Sequence, residues 1–172
     1  MKSISFRADV LPLKDMLFRL ALRITLNSAE AEDVVQETMI RVWNRREQWS
    51  EIESIEAFTT TICRNLALDR QKRMSNQQLS LNTQEYDTPD FSTRANPEQQ
   101  TVANDRISLV KRLMDELPEK QRSCMQLRDI EGKAYKEIAE VMGISEQQVK
   151  VSIFRARQTI RQRFIETEKY GL

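Results

Sequence analysis

A run of amide and basic side chains near the C-terminus carries the clearest potential for chemistry in this sequence. Gln147 and Gln148 follow a turn around Gly143. The basic residues after them are Lys150, Arg155, Arg157, Arg161 and Arg163. Side chains near the start of a helix can reach base edges in the major groove, whereas arginines further along suit phosphates. The segment therefore indicates nucleic-acid binding.

A helix-turn-helix over residues 134–164 would position these side chains. The pattern predicts an eight-residue helix, a three-residue turn that contains Gly143, and a longer second helix. Ser145 is the predicted cap of the second helix, and Gln148 completes a capping box with it. The alternative interpretation is an ordinary helical hairpin whose basic face is solvated.

A second polar constellation lies on a helix predicted in the first third of the chain. Its members recur at three- and four-residue spacing and are Asp33, Gln36, Glu37 and Arg41. Taken alone, this face is most simply solvated, since an i,i+4 pair such as Glu37–Arg41 contributes only about 0.3 kcal/mol. A metal site is disfavoured, because the chain has no histidine and offers no second carboxylate motif.

A third constellation gives the next helix a basic polar side. Its members are Arg64, Asn65, Arg70, Lys72 and Arg73. A base-reading surface and a plain solvated face explain this pattern equally well. Three consecutive threonines at 59–61 are poor helix formers, so their hydroxyls are candidates for contacts rather than for helix stability.

The elements around these constellations predict an all-α protein. Apolar periodicity predicts three helices within residues 1–74 and four within residues 97–172, the first helix of the chain starting at Asp9. Residues 75–96, rich in Ser, Asn, Gln and Thr, are predicted to be an acidic flexible linker. The predicted fold is therefore two small helical bundles joined by a linker, with the helix-turn-helix in the C-terminal bundle.

Composition excludes several classes of protein. With 172 residues, 3 glycines and 4 prolines, the chain suits one or two small helical domains and argues against hairpin-rich β architecture. It has no histidine, the commonest general base and metal ligand, and only Cys63 and Cys124, which are too few for a disulfide framework or a zinc cage. We therefore expect no enzyme, no cofactor and no metal. No apolar stretch approaches the ~20 residues that span a bilayer, and no secretion signal is evident, so a cytoplasmic location is expected.

Together, the three constellations resemble the extracytoplasmic-function (ECF) sigma factors of bacterial RNA polymerase, in the sigma-70 class. Residues 31–43, AEDVVQETMIRVW, are similar to the polymerase-binding helix of that family. Residues 57–73, AFTTTICRNLALDRQKR, resemble its promoter-melting and −10 reading helix, although Phe58, Thr59 and Thr60 stand where members usually carry Trp, Leu and an aromatic residue. Residues 117–160 resemble its −35 reading domain.

The resemblance implies three sets of binding residues. The polymerase-binding set, which would dock on the clamp helices of the β′ subunit, is Asp33, Gln36, Glu37 and Arg41. The −10 set, in which Asn65 would hold a flipped base and the arginines phosphates, is Arg64, Asn65, Arg70 and Arg73. The −35 set is Ser145, Gln147, Gln148, Lys150, Val151, Phe154, Arg155 and Arg157.

The function that the resemblance implies is non-enzymatic transcription initiation. Such a chain would bind core RNA polymerase through the β′ clamp helices and the β flap, and would read the −10 and −35 elements of promoter DNA. The resemblance also implies a membrane-anchored anti-sigma factor that occludes the DNA-facing surfaces, a compact and inactive free chain, and no small-molecule substrate. The alternatives are a helix-turn-helix repressor or activator that acts without docking on polymerase, and an anti-sigma-binding decoy.

Overall fold

The computed structural model describes residues 3–81 and 102–170, and within those ranges every regular element is helical, as predicted. The helices are α1 (Lys14–Thr25), α2 (Ser28–Asn44), α3 (Ile55–Leu81), α4 (Val102–Asp115), α5 (Glu119–Met125), α6 (Tyr135–Met142) and α7 (Glu146–Tyr170). Shorter helical turns cover Phe6–Val10, Leu11–Leu13 and Arg46–Glu51, and a π-helical turn, Gln126–Ile130, follows α5. Residues 3–81 are called the N-terminal part below, and residues 102–170 the C-terminal part.

Side-chain caps set the starts of α2 and α3 where the sequence predicted them. The Asn27 side-chain oxygen accepts a hydrogen bond from the Glu30 amide at 3.0 Å, and the Ser54 hydroxyl accepts one from the Ala57 amide at 3.2 Å. The predicted start of α1 at Asp9 is wrong. Residues 6–13 form separate turns because Pro12, at the beginning of the second turn, has no amide hydrogen to continue a regular helix.

α3 is longer than predicted and continues through Leu81. Residues 75–81, which were expected to begin the coil linker, are therefore helical. The physical reason is that residues 74–81 contain neither glycine nor proline, the residues that usually end a helix. Residues 82–96 of the predicted linker, and the predicted start of the following helix at Pro97, lie outside the described residues.

The main hydrophobic core is shared between the two parts. Leu17, Leu20 and Ile24 of α1 belong to the same buried cluster as Leu127 and Ile138 of the C-terminal part. Smaller clusters lie within each part, one around Val42 and Trp49, the other around Met114 and Ile160. The two helical bundles thus pack face to face, with α5 against α1 and α6 against α3.

The membrane-spanning potential of the described helices is low. Among residues 3–81 and 102–170, no helix combines the length and the apolar character needed to cross a bilayer.

Candidate polymerase and nucleic-acid interfaces

The helix-turn-helix has the local geometry that the sequence predicts. α6 ends at Gly143, whose φ of 67° lies in the left-handed region that glycine tolerates. The Gln148 amide donates to the Ser145 hydroxyl at 3.1 Å, and the Ser145 amide donates to the Gln148 side-chain oxygen at 3.0 Å. This reciprocal capping box fixes the start of α7. Because of this box, the side-chain oxygen of Gln148 is already bound within the protein.

α7 has one buried face and one exposed face. Val149, Ile153, Ala156 and Ile160 are buried against the rest of the C-terminal part. The opposite face, called the recognition face below, consists of Gln147, Lys150, Val151, Phe154 and Arg155, all exposed. The exposed fraction of Phe154 is 67%, a large apolar area that helix packing leaves without cover. The recognition face is therefore available to a partner.

Two of the predicted −35 residues contact other side chains. The Arg157 guanidinium donates from Nε to an Asp129 carboxylate oxygen at 3.0 Å, and this hydrogen bond raises the pKa of Arg157. The Lys150 ammonium lies 5.4 Å from the centre of the Tyr135 ring, close enough for a cation–π contact. Both side chains nonetheless stay exposed at the edge of the recognition face. The structure thus brings five of the eight predicted −35 residues together on the recognition face, with Arg157 beside it and with Ser145 and Gln148 in the capping box.

The four predicted polymerase-binding residues share one face of α2, which we call the docking face. Asp33, Gln36 and Arg41 are exposed and Glu37 is half-buried. Arg41 donates to a Glu37 carboxylate oxygen at 2.7 Å, the i,i+4 pair that the spacing predicts. The other side of α2 is buried through Val34, Val35, Thr38 and Val42. Burial of that side orients the docking face outwards.

The four predicted −10 residues do not lie on one open surface. Asn65 and Arg73 are exposed, whereas Arg70 turns towards carboxylates of α2. Arg64 is only 8% exposed and is covered by α5. Its Nη2 donates to the two carboxylate oxygens of Glu119 at 3.1 and 3.3 Å, and Glu119 also accepts from the Ser123 hydroxyl at 2.6 Å.

The loop before α3 is anchored by an aromatic cluster rather than by the threonines. Trp49 is buried, donates its indole N–H to the Val42 carbonyl at 3.1 Å, and packs with Phe6 and Trp43. The hydroxyls of Thr60 and Thr61 donate to backbone carbonyls one turn earlier, each at 2.7 Å. Those two hydroxyls are therefore satisfied within the helix, and the hypothesis that they serve outside contacts gains nothing from the structure.

Ion pairs between the two parts are the feature that sequence reasoning missed. Arg19 pairs with Glu131 at 2.6 Å, Arg23 pairs with Asp115 at 2.7 Å, and Glu56 pairs with Lys133. Together with Arg64–Glu119, three arginines of the N-terminal part meet three carboxylates of the C-terminal part. The sequence gives no local signal for these pairs, because each of the three arginines is 55 to 112 residues away from its carboxylate partner.

Arg122 lies at the same interface and forms hydrogen bonds with backbone carbonyls of both parts. It donates to the backbone carbonyls of Asp115 at 2.9 Å and of Ile24 at 3.4 Å, at the C-terminal ends of α4 and α1. The partial negative charge at helix C-termini suits a cation. Burial lowers the pKa of Arg122, so this contact joins the two parts at a desolvation cost.

No metal centre accompanies these surfaces in the part of the chain that the structure describes. No group of three or more potential ligands gathers there. The two thiols are buried, and burial raises the pKa of Cys63 to about 12 and that of Cys124 to about 11. Both are therefore protonated near neutral pH.

Two models of known protein families match this chain. The family model for Sigma-70 region 2 matches residues 10–76, and that for Sigma-70, region 4 matches residues 107–160. These matches contain α1, α2 and most of α3 in the first case, and the whole turn between α6 and α7 in the second. Together they cover more than half of the chain.

Curated relatives and a solved structure agree with the family models. The chain is 34% identical to the ECF RNA polymerase sigma factor SigE of Mycolicibacterium smegmatis over 86% of its own length and 56% of the relative's. It is 31% identical to the ECF RNA polymerase sigma factor SigL of Mycobacterium tuberculosis, over 85% of this chain and 81% of the relative.

The fold is that of the sigma factor RpoE of Bartonella quintana, whose structure was solved in complex with the anti-sigma factor NepR. The TM-score is 0.74 at 19% identity, with 94% of this chain and 96% of that chain covered. Fold, family models and relatives converge on one assignment: the chain belongs to the ECF sigma factors of the sigma-70 family.

Proposed function

We propose that this chain is a transcription initiation factor that binds core RNA polymerase and directs it to promoters through their −10 and −35 elements. It catalyses no reaction and needs no cofactor. The observation that carries this function is the presence, in one chain, of an exposed docking face on α2 and an exposed recognition face on a capped helix-turn-helix. A helix-turn-helix regulator that ignores polymerase explains only the second of these surfaces.

The recognition face supports reading of the −35 element in the major groove. Gln147 and Lys150 supply donors for base edges or phosphates, and Val151 and Phe154 supply apolar contact for thymine methyl groups. Arg155, which is exposed and forms no ion pair with another described residue, would contact phosphates and position the helix on the duplex, whereas Arg157 would do so only after releasing Asp129. Ser145 and Gln148 act through the capping box and fix the angle at which α7 enters the groove.

The docking face supports binding to the clamp helices of the β′ subunit. Asp33 and Gln36 are exposed on one side of α2, and Glu37 with Arg41 completes the polar surface. Carboxylates that are held in place by neighbouring side chains bind a partner with higher affinity, because less conformational freedom is lost on binding. A contact to the β flap is proposed for the C-terminal part.

The basic side of α3 supports contact with the −10 element, provided that α5 moves away from Arg64. Asn65 and Arg73 are exposed and free to meet a flipped base and its phosphates, respectively. Arg64 can reach a phosphate only when Glu119 leaves it, so α5 has to move away from α3. The covered arrangement therefore belongs to a chain that is not reading a −10 element.

The partners and the location are proposed from the family. The Bartonella quintana relative in fold was crystallised with an anti-sigma factor, and we propose an anti-sigma factor, anchored in the membrane, for this chain as well. Core polymerase and promoter DNA place the working protein in the cytoplasm.

A binding experiment with core polymerase tests the function. Asp33→Lys with Glu37→Lys should abolish co-elution of the chain with core enzyme, whereas Lys150→Ala with Arg155→Ala should leave co-elution intact and weaken promoter selection. Tight operator binding by the chain alone, with no co-elution of the wild type, would support the polymerase-independent regulator instead.

A further inference from the structure

Arg70 of α3 joins three carboxylates of α2. Its Nη1 lies 2.8 Å from a Glu30 carboxylate oxygen and 3.8 Å from one of Asp33, and its Nη2 lies 3.5 Å from one of Glu37. Arg70 is half-buried, with 26% of its side chain exposed. A single guanidinium thus connects the −10 helix to two residues of the docking face and to Glu30, which lies beside them.

Without Arg70, three carboxylates on this side of α2 would repel one another. Glu30, Asp33 and Glu37 are three, four and seven residues apart, so their carboxylates lie along one stripe of the helix. Like charges at such spacing destabilise one another. Arg41 offsets only Glu37, at 2.7 Å, so Arg70 is the cation that bridges all three carboxylates among the described residues.

The guanidinium of Arg70 is already engaged by the carboxylates of α2. The hydrogen bond to Glu30, followed by the one to Glu37, raises the pKa of Arg70, so it stays charged while it holds these groups. A phosphate-binding arginine, in contrast, offers free donors to solvent. Arg73, almost one turn further along α3, is exposed and forms no ion pair with another described residue. Arg70 and Arg73 therefore have different surroundings although they begin and end the same basic run.

We propose that Arg70 is a positioning residue for polymerase docking, with Glu30 as its anchor, and not a contact to promoter phosphate. Arg70 holds the Asp33 and Glu37 carboxylates in the geometry that the β′ clamp helices meet. This inference rests on the proposed function of the docking face. It removes one residue from the −10 set and adds Glu30 to the residues that polymerase binding requires.

The first arm of the test compares the affinity of the full chain for core polymerase. Glu30→Gln and Arg70→Gln should each weaken binding about fivefold, as expected for a contact of about 1 kcal/mol. The double variant should bind no worse than either single variant, because both changes remove the same interaction. Glu32→Gln, which removes an equal charge from the same turn, and Arg73→Gln should bind core polymerase like the wild type.

The second arm measures how promoter binding by the preassembled holoenzyme depends on salt. Arg73→Gln should reduce the slope of log K against log salt by about 1, the change expected for one lost phosphate contact. Arg70→Gln should leave that slope unchanged. Urea unfolding of each variant checks the fold, and Arg70→Lys, which keeps the cation, should recover part of the polymerase affinity.

The outcomes separate the inference from the function on which it rests. Wild-type affinity for core polymerase in Glu30→Gln, together with a reduced salt slope in Arg70→Gln, would overturn the positioning role and restore Arg70 as a phosphate contact. Equal loss of affinity in Glu32→Gln would also overturn it, since a general charge effect would then suffice. Failure of the wild type to bind core polymerase would instead contradict the proposed function.

Discussion

The two surfaces proposed to meet DNA differ in what covers them. On α7, the recognition face is open to solvent and Phe154 is 67% exposed. On α3, Arg64 is 8% exposed and its guanidinium is bound by Glu119 of α5. A carboxylate thus occupies the arginine donors that a promoter phosphate would take.

This difference shows that residue type alone does not decide availability. Both surfaces contain arginines and amide side chains, and both would pass as DNA-binding from the sequence. The C-terminal part packs against α1 and α3, which covers the Arg64 side of α3 and leaves the recognition face of α7 exposed. We therefore expect the isolated chain to be ready for a −35 element before it is ready for a −10 element.

The largest effect is expected from the apolar contact between the two parts. Leu127 is 1% exposed within the shared core, and Leu127→Ala should lower the free energy of unfolding by about 3 kcal/mol through lost burial and a cavity. Urea unfolding measures this loss. The same variant should speed alkylation of Cys124, because the shared core around that thiol loosens.

Cys63 provides an internal control for that experiment. It belongs to the same shared core as Cys124, but its thiol donates to the Leu17 carbonyl at 3.5 Å, a partner within the N-terminal part. Peptide mapping after alkylation should therefore show a larger acceleration at Cys124 than at Cys63. Equal acceleration at both cysteines would indicate global unfolding, and no acceleration at Cys124 would contradict the role of Leu127 in the shared core.

A smaller effect is expected from the carboxylate that binds Arg64. Glu119→Gln leaves a buried guanidinium without its counter-ion and should destabilise the contact between α3 and α5 by about 2 kcal/mol. In the Glu119→Gln variant, alkylation of Cys124 should be faster than in the wild type at urea concentrations below the unfolding transition. Small-angle scattering should show a larger radius of gyration, and an unchanged radius with unchanged reactivity would argue that Glu119 does not hold the two parts together.

The open surface can be weakened without affecting the covered one. Ser145→Ala removes the hydroxyl that caps α7 and should cost about 1 kcal/mol of stability. Because the cap fixes the entry of α7, binding of the −35 element should weaken while the alkylation rate of Cys124 stays at the wild-type value. Binding to a −35 duplex and the alkylation rate of Cys124, measured on the same sample, report on the open surface of α7 and on the covered surface of α3, respectively.

The smallest effect is expected from a half-exposed arginine at the same interface. Arg19 pairs with Glu131 at 2.6 Å; its side chain is 48% exposed, whereas that of Glu131 is 6% exposed and also accepts a hydrogen bond from Gln126 at 3.2 Å. Because solvent screens the Arg19 charge and Glu131 keeps Gln126 as a partner, Arg19→Ala should change the stability by less than about 1 kcal/mol. A loss as large as that of Glu119→Gln would show that the outer ion pairs, rather than Arg64–Glu119, hold the interface.

The features that sequence could predict are local ones. The capping box of Ser145 and Gln148, the turn glycine at 143 and the i,i+4 pair of Glu37 and Arg41 depend on residues within four positions of each other. Their geometry follows from helix spacing, so the helices and the two exposed faces could be anticipated.

The features that sequence could not predict depend on distant partners. The pairing of Arg23 with Asp115 spans 92 residues, and that of Arg64 with Glu119 spans 55. Arg70 illustrates the same limit, because its basic neighbours suggested phosphate whereas its actual partners lie 40 residues earlier, at Glu30. A carboxylate and a phosphate suit an arginine equally well, and only the packing of the helices shows which one it meets.

Transcription in vitro with core polymerase and genomic DNA tests the central claim most directly. We predict specific start sites that appear only when the full chain is added and that vanish with Asp33→Lys and Glu37→Lys. Footprints at those sites should cover both the −35 and the −10 elements in the holoenzyme. Absence of any chain-dependent start site, with the chain bound to duplex DNA by itself, would contradict the account.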